Sequence, residues 1–317
     1  MYQRHHVEFF RTLPMKGSVV QGHFPQVSFE HGKKRLFNPV LRKRYENRPE
    51  ERVRLRWTEY LLLEAGWKRS RIAFEAAVRN NRSGSTLRAD LILYDEALHP
   101  EILIECKSES EELKQAVAEQ AGRYNREVEA PFIILTNGHQ DLCYRREKGE
   151  IAAANPPFSS SGNRWREKPG YWSARGFCPE SHDHQGGWIP ALLNRFWDSS
   201  AIPTYLDVDL DPDIPAGHYY RIWSLPDEEK LAVTFTGCGI SDCWLLALLS
   251  CGKENARALA LSIRKMEENH PANGTLYDQS GKSAVNGLKI LSLPVSSEPD
   301  EIALFTDNLP GALRSFF

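Results

Sequence analysis

The sequence predicts an α/β protein, α+β overall, with a mixed sheet flanked by helices in the first half and a second α+β region behind it. Three observations carry this. Residues 48–146 show helical and strand patterns in the order α-β-β-β-α-β-β. A Pro/Ser/Gly-rich run, Asn155-Pro156-Pro157-Phe158-Ser159-Ser160-Ser161-Gly162, then breaks the pattern. Beyond it the composition shifts, and most of the tryptophans lie there. At 317 residues the chain is long for one compact domain. The expected division is a domain over 1–150, a linker over 151–176 and an accessory domain over 177–317.

Residues 1–31 read as irregular or weakly stranded. Arg48-Pro49-Glu50-Glu51 opens the first helix, with acids in the first turn where the helix dipole favours them. Val53, Trp57, Tyr60, Leu61 and Glu64 follow at helical spacing, and Gly66 ends it. Residues 71–78 read as a strand and 80–85 as a turn. Two strands, 88–94 and 102–107, are joined through Asp95 to Pro100. Glu109 to Glu129 is rich in Glu, Ala, Gln and Lys and predicts a helix. Phe132 to Thr136 predicts a buried strand ended by Asn137-Gly138, with 142–146 as its antiparallel partner. In the second half, strands are expected at 218–224, 230–236, 287–292 and 301–306. A helical stretch is expected from Asp242 to Asn269, interrupted near Gly252.

The composition is that of a globular protein, with 41% hydrophobic and 26% charged residues. No apolar run approaches the roughly 20 residues that span a bilayer, and the N-terminus lacks a signal-peptide core. A cytoplasmic protein without a membrane partner is expected. Six cysteines without framework spacing read as free thiols. A net charge of −2 hides an excess of basic residues between Lys33 and Arg71. Lys33, Lys34 and Arg35 form one cluster and Arg42, Lys43 and Arg44 another, with Arg54 further along. Such a stripe suits phosphate neutralisation, or is a solvated face.

The strands at 88–94 and 102–107 carry Asp90, Glu105 and Lys107, which neither strand needs for packing. An antiparallel hairpin whose turn is centred between Ala97 and Leu98 sets Asp90 opposite Glu105. Opposed residues share a sheet face, and Lys107 emerges on it too. Two carboxylates at that separation repel unless a hard divalent cation joins them. Asp90, Glu105 and the carbonyl oxygen of Cys106 are therefore expected to hold Mg²⁺ or Mn²⁺. Lys107 would orient a water or stabilise developing phosphorane charge. A cross-strand ion pair is the structural alternative for the same residues.

Asp followed by Glu-x-Lys on the next strand resembles the PD-(D/E)xK nuclease superfamily. Residues 24–146 are similar to the N-terminal nuclease domain of type I restriction enzyme R subunits, in a small stand-alone form. The matching segments are Phe37 to Arg44, Arg48 to Arg54, Arg88 to Leu91, Glu105 to Lys107, Gln120 to Asn125 and Leu135 to Gly138. The resemblance implies a restriction-endonuclease-like mixed sheet and a metal-dependent nuclease. It places Glu51, or its neighbour Glu50, at the metal site. It matches Gln120 and Tyr124 to a Gln-x-x-x-Tyr element that would contact the DNA backbone or the lysine-bearing strand. The family's usual proline before the catalytic Asp is absent, since Ala89 stands there.

Other signals are weaker. Gly281-Lys282-Ser283 lacks the upstream glycine of a P-loop, because Leu276 stands there. Cys238 and Cys243, with Cys178, His182 and His184, are loosely spaced for zinc. The acids from Asp207 to Asp213 lack the Gly and Glu of a calcium loop. The expected activity is hydrolysis of DNA, in restriction or defence or in DNA repair, and a toxin-like RNase with the same chemistry is a weaker option. The alternative is a DNA-binding or assembly module that retains the fold. A partner protein or a second copy would engage the C-terminal region.

Overall fold

The computed structural model describes residues 17–30, 33–79, 86–114, 122, 125–147, 150–158, 164–168, 170–180, 187–237, 242–251, 254–287 and 298–317. The chain divides into two compact units. The first takes the residues up to Pro25 and Leu36–Asn163, and the second takes Gln26–Arg35 and Arg164–Phe317. Strand β1 (Gln26–Glu30) lies in the second unit, β2 (Lys33–Asn38) crosses the division, and β3 (Lys43–Glu46) lies in the first. Among the described residues no helix is long and apolar enough to cross a membrane.

The first unit is built on a six-stranded mixed sheet. It runs β4 (Ile72–Arg79), β5 (Thr86–Tyr94), β6 (Pro100–Cys106), β7 (Phe132–Thr136), β8 (Asp141–Glu147) and β9 (Glu150–Ala153) in that order. Only β6 and β7 pair in parallel; the other neighbours are antiparallel. Parallel neighbours need a crossover, and within it Gly122 and residues 125–128 are helical. The rest of the expected 109–129 helix is either outside the described residues or, over 109–114, non-helical.

Helix α1 (Pro49–Leu63) lies against β6 and starts as expected, with Pro49 in its first turn beside Glu50 and Glu51. Every residue from Glu51 to Leu61 is buried, charged ones included. A helix enclosed on all sides must pair its charges. Glu51, Arg52, Arg54 and Arg56 consequently carry the unit's buried ionic networks. Phe158, in the expected linker, packs edge-on to Tyr60 and against Trp57 and Trp67. This fixes that part of the segment to α1.

The second unit contains a seven-stranded antiparallel meander of β10 (Thr204–Leu206), β11 (His218–Ser224), β12 (Glu229–Thr236), β13 (Trp244–Cys251), β14 (Glu254–Ser262), β15 (Gly274–Asp278) and β16 (Gly281–Val285). Helix α2 (Trp188–Phe196), the short α3 (Ile263–Glu267) and α4 (Pro299–Arg314) complete it, with α2 packed on α4.

Two expectations fail here. The Leu/Ala-rich stretch from Asp242 is a hairpin, not a helix: β13 and β14 pair from Trp244 with Ser262 to Leu249 with Arg257. The centre of this sheet is buried on both faces, so its strands lack the alternation that marks a half-exposed strand. Conversely, 301–306 belongs to α4, whose buried Ile302, Phe305, Thr306, Leu309 and Leu313 follow helical spacing. The strand expected at 287–292 falls, beyond Gly287, outside the described residues.

Candidate active site

The hairpin of β5 and β6 keeps the expected register where it pairs Leu93 with Ile102, Ile92 with Leu103 and Leu91 with Ile104, while toward the turn the register shifts and Tyr94 pairs with Pro100. One step beyond the last pair stand Asp90 and Glu105. There the regular ladder gives way to a side-chain cap, because the Cys106 N–H donates to Asp90 Oδ2 at 2.8 Å. Lys107 Nζ donates to Glu105 Oε1 at 3.3 Å. The Lys107 N–H donates to the Thr136 carbonyl at 2.8 Å, which anchors the end of β6 to β7.

Asp90 does not stand alone. Arg54 Nη2, from α1, lies 2.6 Å from Asp90 Oδ1. Arg54 Nη1 donates to Glu51 Oε2 at 2.9 Å and to Glu75 Oε1 at 3.3 Å. The Arg54 guanidinium also lies over the Phe74 ring, 5.2 Å from its centroid. Arg54, expected on a DNA-binding stripe, is instead buried at the centre of three carboxylates. The reason is the enclosure of α1, which turns a surface-looking charge inward.

Glu75 was not expected. The β4–β5 ladder keeps one register on either side of it, pairing Phe74 with Leu91 and Ala76 with Ala89, so Glu75 faces Asp90. Its φ of 50° lies in the left-handed region, a strained conformation that a β-strand interior rarely holds. The available signal was an acid inside the apolar run Ile72-Ala73-Phe74-Glu75-Ala76-Ala77, the same signal that marked Asp90. Tyr45, on β3, packs its ring near Phe74 at 5.7 Å. Burial raises its phenol pKa, and the charges of Glu75 and Glu51 add to the effect.

The electrostatics follow from crowding acids in a buried place. Burial pushes Glu51 up to about 7, with Arg54 opposing and Glu75 and Asp90 adding to the rise. Glu105 is raised in the same way, first by burial and then by Asp90, against the pull of Lys107. Burial works against the charge of Lys107, but Glu105 and Asp90 outweigh it and hold its pKa above the ordinary lysine value. The buried Cys106 thiol is pushed well up, so its side chain is not a thiolate ligand.

One carboxylate oxygen on each of two acids, Glu51 Oε1 and Glu105 Oε2, is buried without a hydrogen-bond partner. Orphaned hard oxygens beside Asp90 suit a hard divalent cation. Among the described residues, however, no three or more His, Cys, Asp or Glu side chains are gathered as a ligand cage. A guanidinium, not a gap, lies between Glu51 and Asp90.

The remaining expected residues are dispersed. Gln120 and Tyr124 lie outside the described residues. Lys33, Lys34 and Arg35 belong to the second unit, and Arg42, Lys43 and Arg44 to the first, so the stripe is not one element of one unit. Lys34 donates to the Gly217 carbonyl and to His218 Nδ1, and Arg35 lies 3.7 Å from Glu30. Lys33, Lys43 and Arg44 are exposed, as is Arg42 in a left-handed turn. Cys178 and Cys243 are buried free thiols, Asp211 pairs with Lys282, and Gly281 to Ser283 are exposed strand. Cys238, His182 and His184 lie outside the described residues.

Residues 49–155 match the family described as type I restriction enzyme R protein N terminus. A fragment structure assigned to the HsdR subunit of a type I restriction enzyme from Vibrio vulnificus YJ016 is 25% identical, with a TM-score of 0.24. That match covers 28% of this chain and 19% of the other, about a fifth of that chain's length. No curated protein matches the chain. The stretch containing Glu51, Asp90, Glu105 and Lys107 thus falls within the match to the type I restriction enzyme R protein N terminus.

Proposed function

We propose that the first unit is a divalent-metal-dependent nuclease that hydrolyses DNA phosphodiester bonds, in the setting of restriction of foreign DNA. The observation that carries this reading is the end of the β5–β6 hairpin. Asp90 and Glu105 stand one step beyond the last ladder pair, Lys107 donates to Glu105, and a buried Glu105 oxygen is left without a partner. Asp90, Glu105 and the Cys106 carbonyl would hold Mg²⁺ or Mn²⁺, with Glu51 contributing. Mg²⁺ keeps several waters and commonly takes only one or two carboxylates plus a substrate phosphate, so a closed protein cage is not required. The chemistry such an ion supplies is polarisation of the phosphate and of a water molecule.

The chain's own residues do the rest. Lys107 is held as an ammonium by Glu105 and Asp90, so it serves as a cation and not as a general base. It would orient the attacking water or meet the charge that builds on the phosphate oxygens. Lys43, Arg44 and Arg42, which are exposed, would make phosphate contacts. Gln120 and Tyr124 would add hydrogen bonds to the DNA backbone. The decisive assay is cleavage of linear, nicked and single-stranded DNA with Mg²⁺ or Mn²⁺. Wild type is compared with Asp90→Ala and Lys107→Ala, and cleavage unchanged in both variants would sink the site.

A second reading has its own support. Both Asp90 oxygens are committed, one to Arg54 and one to the Cys106 N–H, and the acids are balanced by a guanidinium. A DNA-binding or assembly module that keeps the fold without catalysis would look the same. Calorimetric Mg²⁺ titration of wild type and Asp90→Asn separates the two readings. Binding in wild type that is lost in the variant favours the nuclease, and no binding by either favours the module.

A further inference from the structure

We propose that Arg54 is a positioning residue that competes with the divalent cation for Asp90 and so sets the affinity of the site. The proposal rests on the nuclease reading above, and it adds a residue that neither the family match nor the motif assigns. Its basis is the division of contacts on one guanidinium. Nη2 is on Asp90 Oδ1 at 2.6 Å, while Nη1 is shared by Glu51 Oε2 at 2.9 Å and Glu75 Oε1 at 3.3 Å. Asp90 Oδ2 is already taken by the Cys106 N–H at 2.8 Å. A cation that ligates Asp90 through Oδ1 must share or displace the oxygen on which Arg54 sits, and one on Oδ2 shares it with the Cys106 N–H.

Displacement is built into the arrangement. Glu51, Glu75 and the Phe74 ring hold the guanidinium without involving Asp90. Arg54 can release one contact and keep the other three, so a buried charge is never left unpaired. Glu75 holds this contact from a positive φ within β4. Arginine suits the role better than lysine, because its planar fork spans several carboxylates at once and an ammonium is a single point.

The test is Mn²⁺ binding, followed by calorimetry and by Mn²⁺ paramagnetic resonance on the full chain without DNA. Arg54→Lys keeps the charge and removes the fork, so electrostatic attraction of the cation changes little. Tighter binding by about tenfold is expected, the ratio that loss of one charge-assisted hydrogen bond represents. Asp90→Asn is expected to lose binding. Equal affinity in wild type and Arg54→Lys overturns the competition and leaves the nuclease reading standing. No Mn²⁺ binding by any of the three proteins overturns the nuclease reading, and this proposal with it.

If Arg54→Lys does not fold, nitrogen NMR of the arginine side chains in the wild-type protein serves instead. Mg²⁺ should shift the Arg54 Nη signals and leave those of Arg52 and Arg56, paired with Glu109, in place. An Arg54 signal that does not move at Mg²⁺ saturation overturns the proposal.

Discussion

Lys107 and Glu105 form an ion pair at 3.3 Å, two positions apart on one strand end, with side-chain exposures of only 14% and 5%. Same-face neighbours on a strand are spaced for such a contact, and the same shielding from water raises the Glu105 carboxyl against the pull of Lys107. Lys107→Ala removes the cation bonded to Glu105 and leaves Arg54, which sits on Asp90, as the remaining counter-charge. DNA cleavage is expected to fall by at least about a hundredfold, the scale of losing one charge-stabilising group. Lys107→Arg should rescue poorly, because a branched guanidinium does not fit the place of an ammonium. Cleavage assays at saturating Mg²⁺ check both outcomes, with circular dichroism to confirm folding.

The raised acids predict how pH acts on the first unit. Glu51 and Glu105 hold protons up to about 7, against an ordinary value of 4.5. Across that window the folded form binds more protons than the unfolded chain, so stability declines as pH rises from 4.5 through 7. A divalent cation requires the deprotonated acids and should bind more tightly at pH 8 than at pH 6. Denaturation midpoints with and without Mg²⁺ at the two pH values measure this. A Mg²⁺ stabilisation as large at pH 6 as at pH 8 would contradict it.

The hairpin was legible because two short apolar strands fix which side chains share a face, and the register shift toward the turn, between Leu93 and Tyr94, leaves the pairing from Leu91 to Leu93 intact. Asp90, Glu105 and Lys107 could be placed from spacing alone. Arg54 could not. In sequence, Arg52, Arg54 and Arg56 look like a basic stripe, and only the enclosure of α1 by the sheet and its connections turns them inward. Glu75 escaped for a different reason: its meeting with Asp90 depends on β4 pairing beside β5 and on a positive φ that pattern reasoning does not supply. In the second unit, Leu and Ala from Trp244 to Leu261 favour helix locally, and strand pairing overrides that preference. Ile302 to Thr306 has strand-like composition, but Pro299, Asp300 and Glu301 begin a helix there.

Glu109 should be a stability residue of the lysine-bearing loop. Its two oxygens meet Arg52 Nε at 3.3 Å and Arg56 Nη1 at 3.1 Å. The same loop is tied down where Asn137 Nδ2 donates to the Glu111 carbonyl. Breaking a buried pair by removing one partner costs roughly 3–5 kcal/mol. Arg56 would still donate to the carbonyls of His23, Val20 and Gln21, which places Glu109→Gln at the lower end, about 3 kcal/mol. Urea denaturation measures the difference, and a loss under about 1 kcal/mol, the range of an exposed pair, would refute the assignment.

His218 predicts a pH response of opposite sign in the second unit. It is buried, its ring centroid is 4.2 Å from that of Phe177, and its Nδ1 accepts from Lys34 at 3.2 Å. The imidazole therefore carries its proton on Nε2 and is neutral. Burial, and next the Lys34 charge, lower its pKa well below the ordinary 6.5. Below pH 6.5 the unfolded chain takes up a proton that the folded protein refuses. Stability is thus full above that value and is lost as pH falls. One group titrating in this way contributes a slope of at most about 1.4 kcal/mol per pH unit. His218→Phe keeps an aromatic ring against Phe177 and removes the titration. Subtracting its unfolding free energy from that of wild type isolates the histidine from the acids of the first unit. The difference should shift against wild type as pH falls from 7.5 to 5.5, and a difference constant over that range would show that His218 is not held neutral.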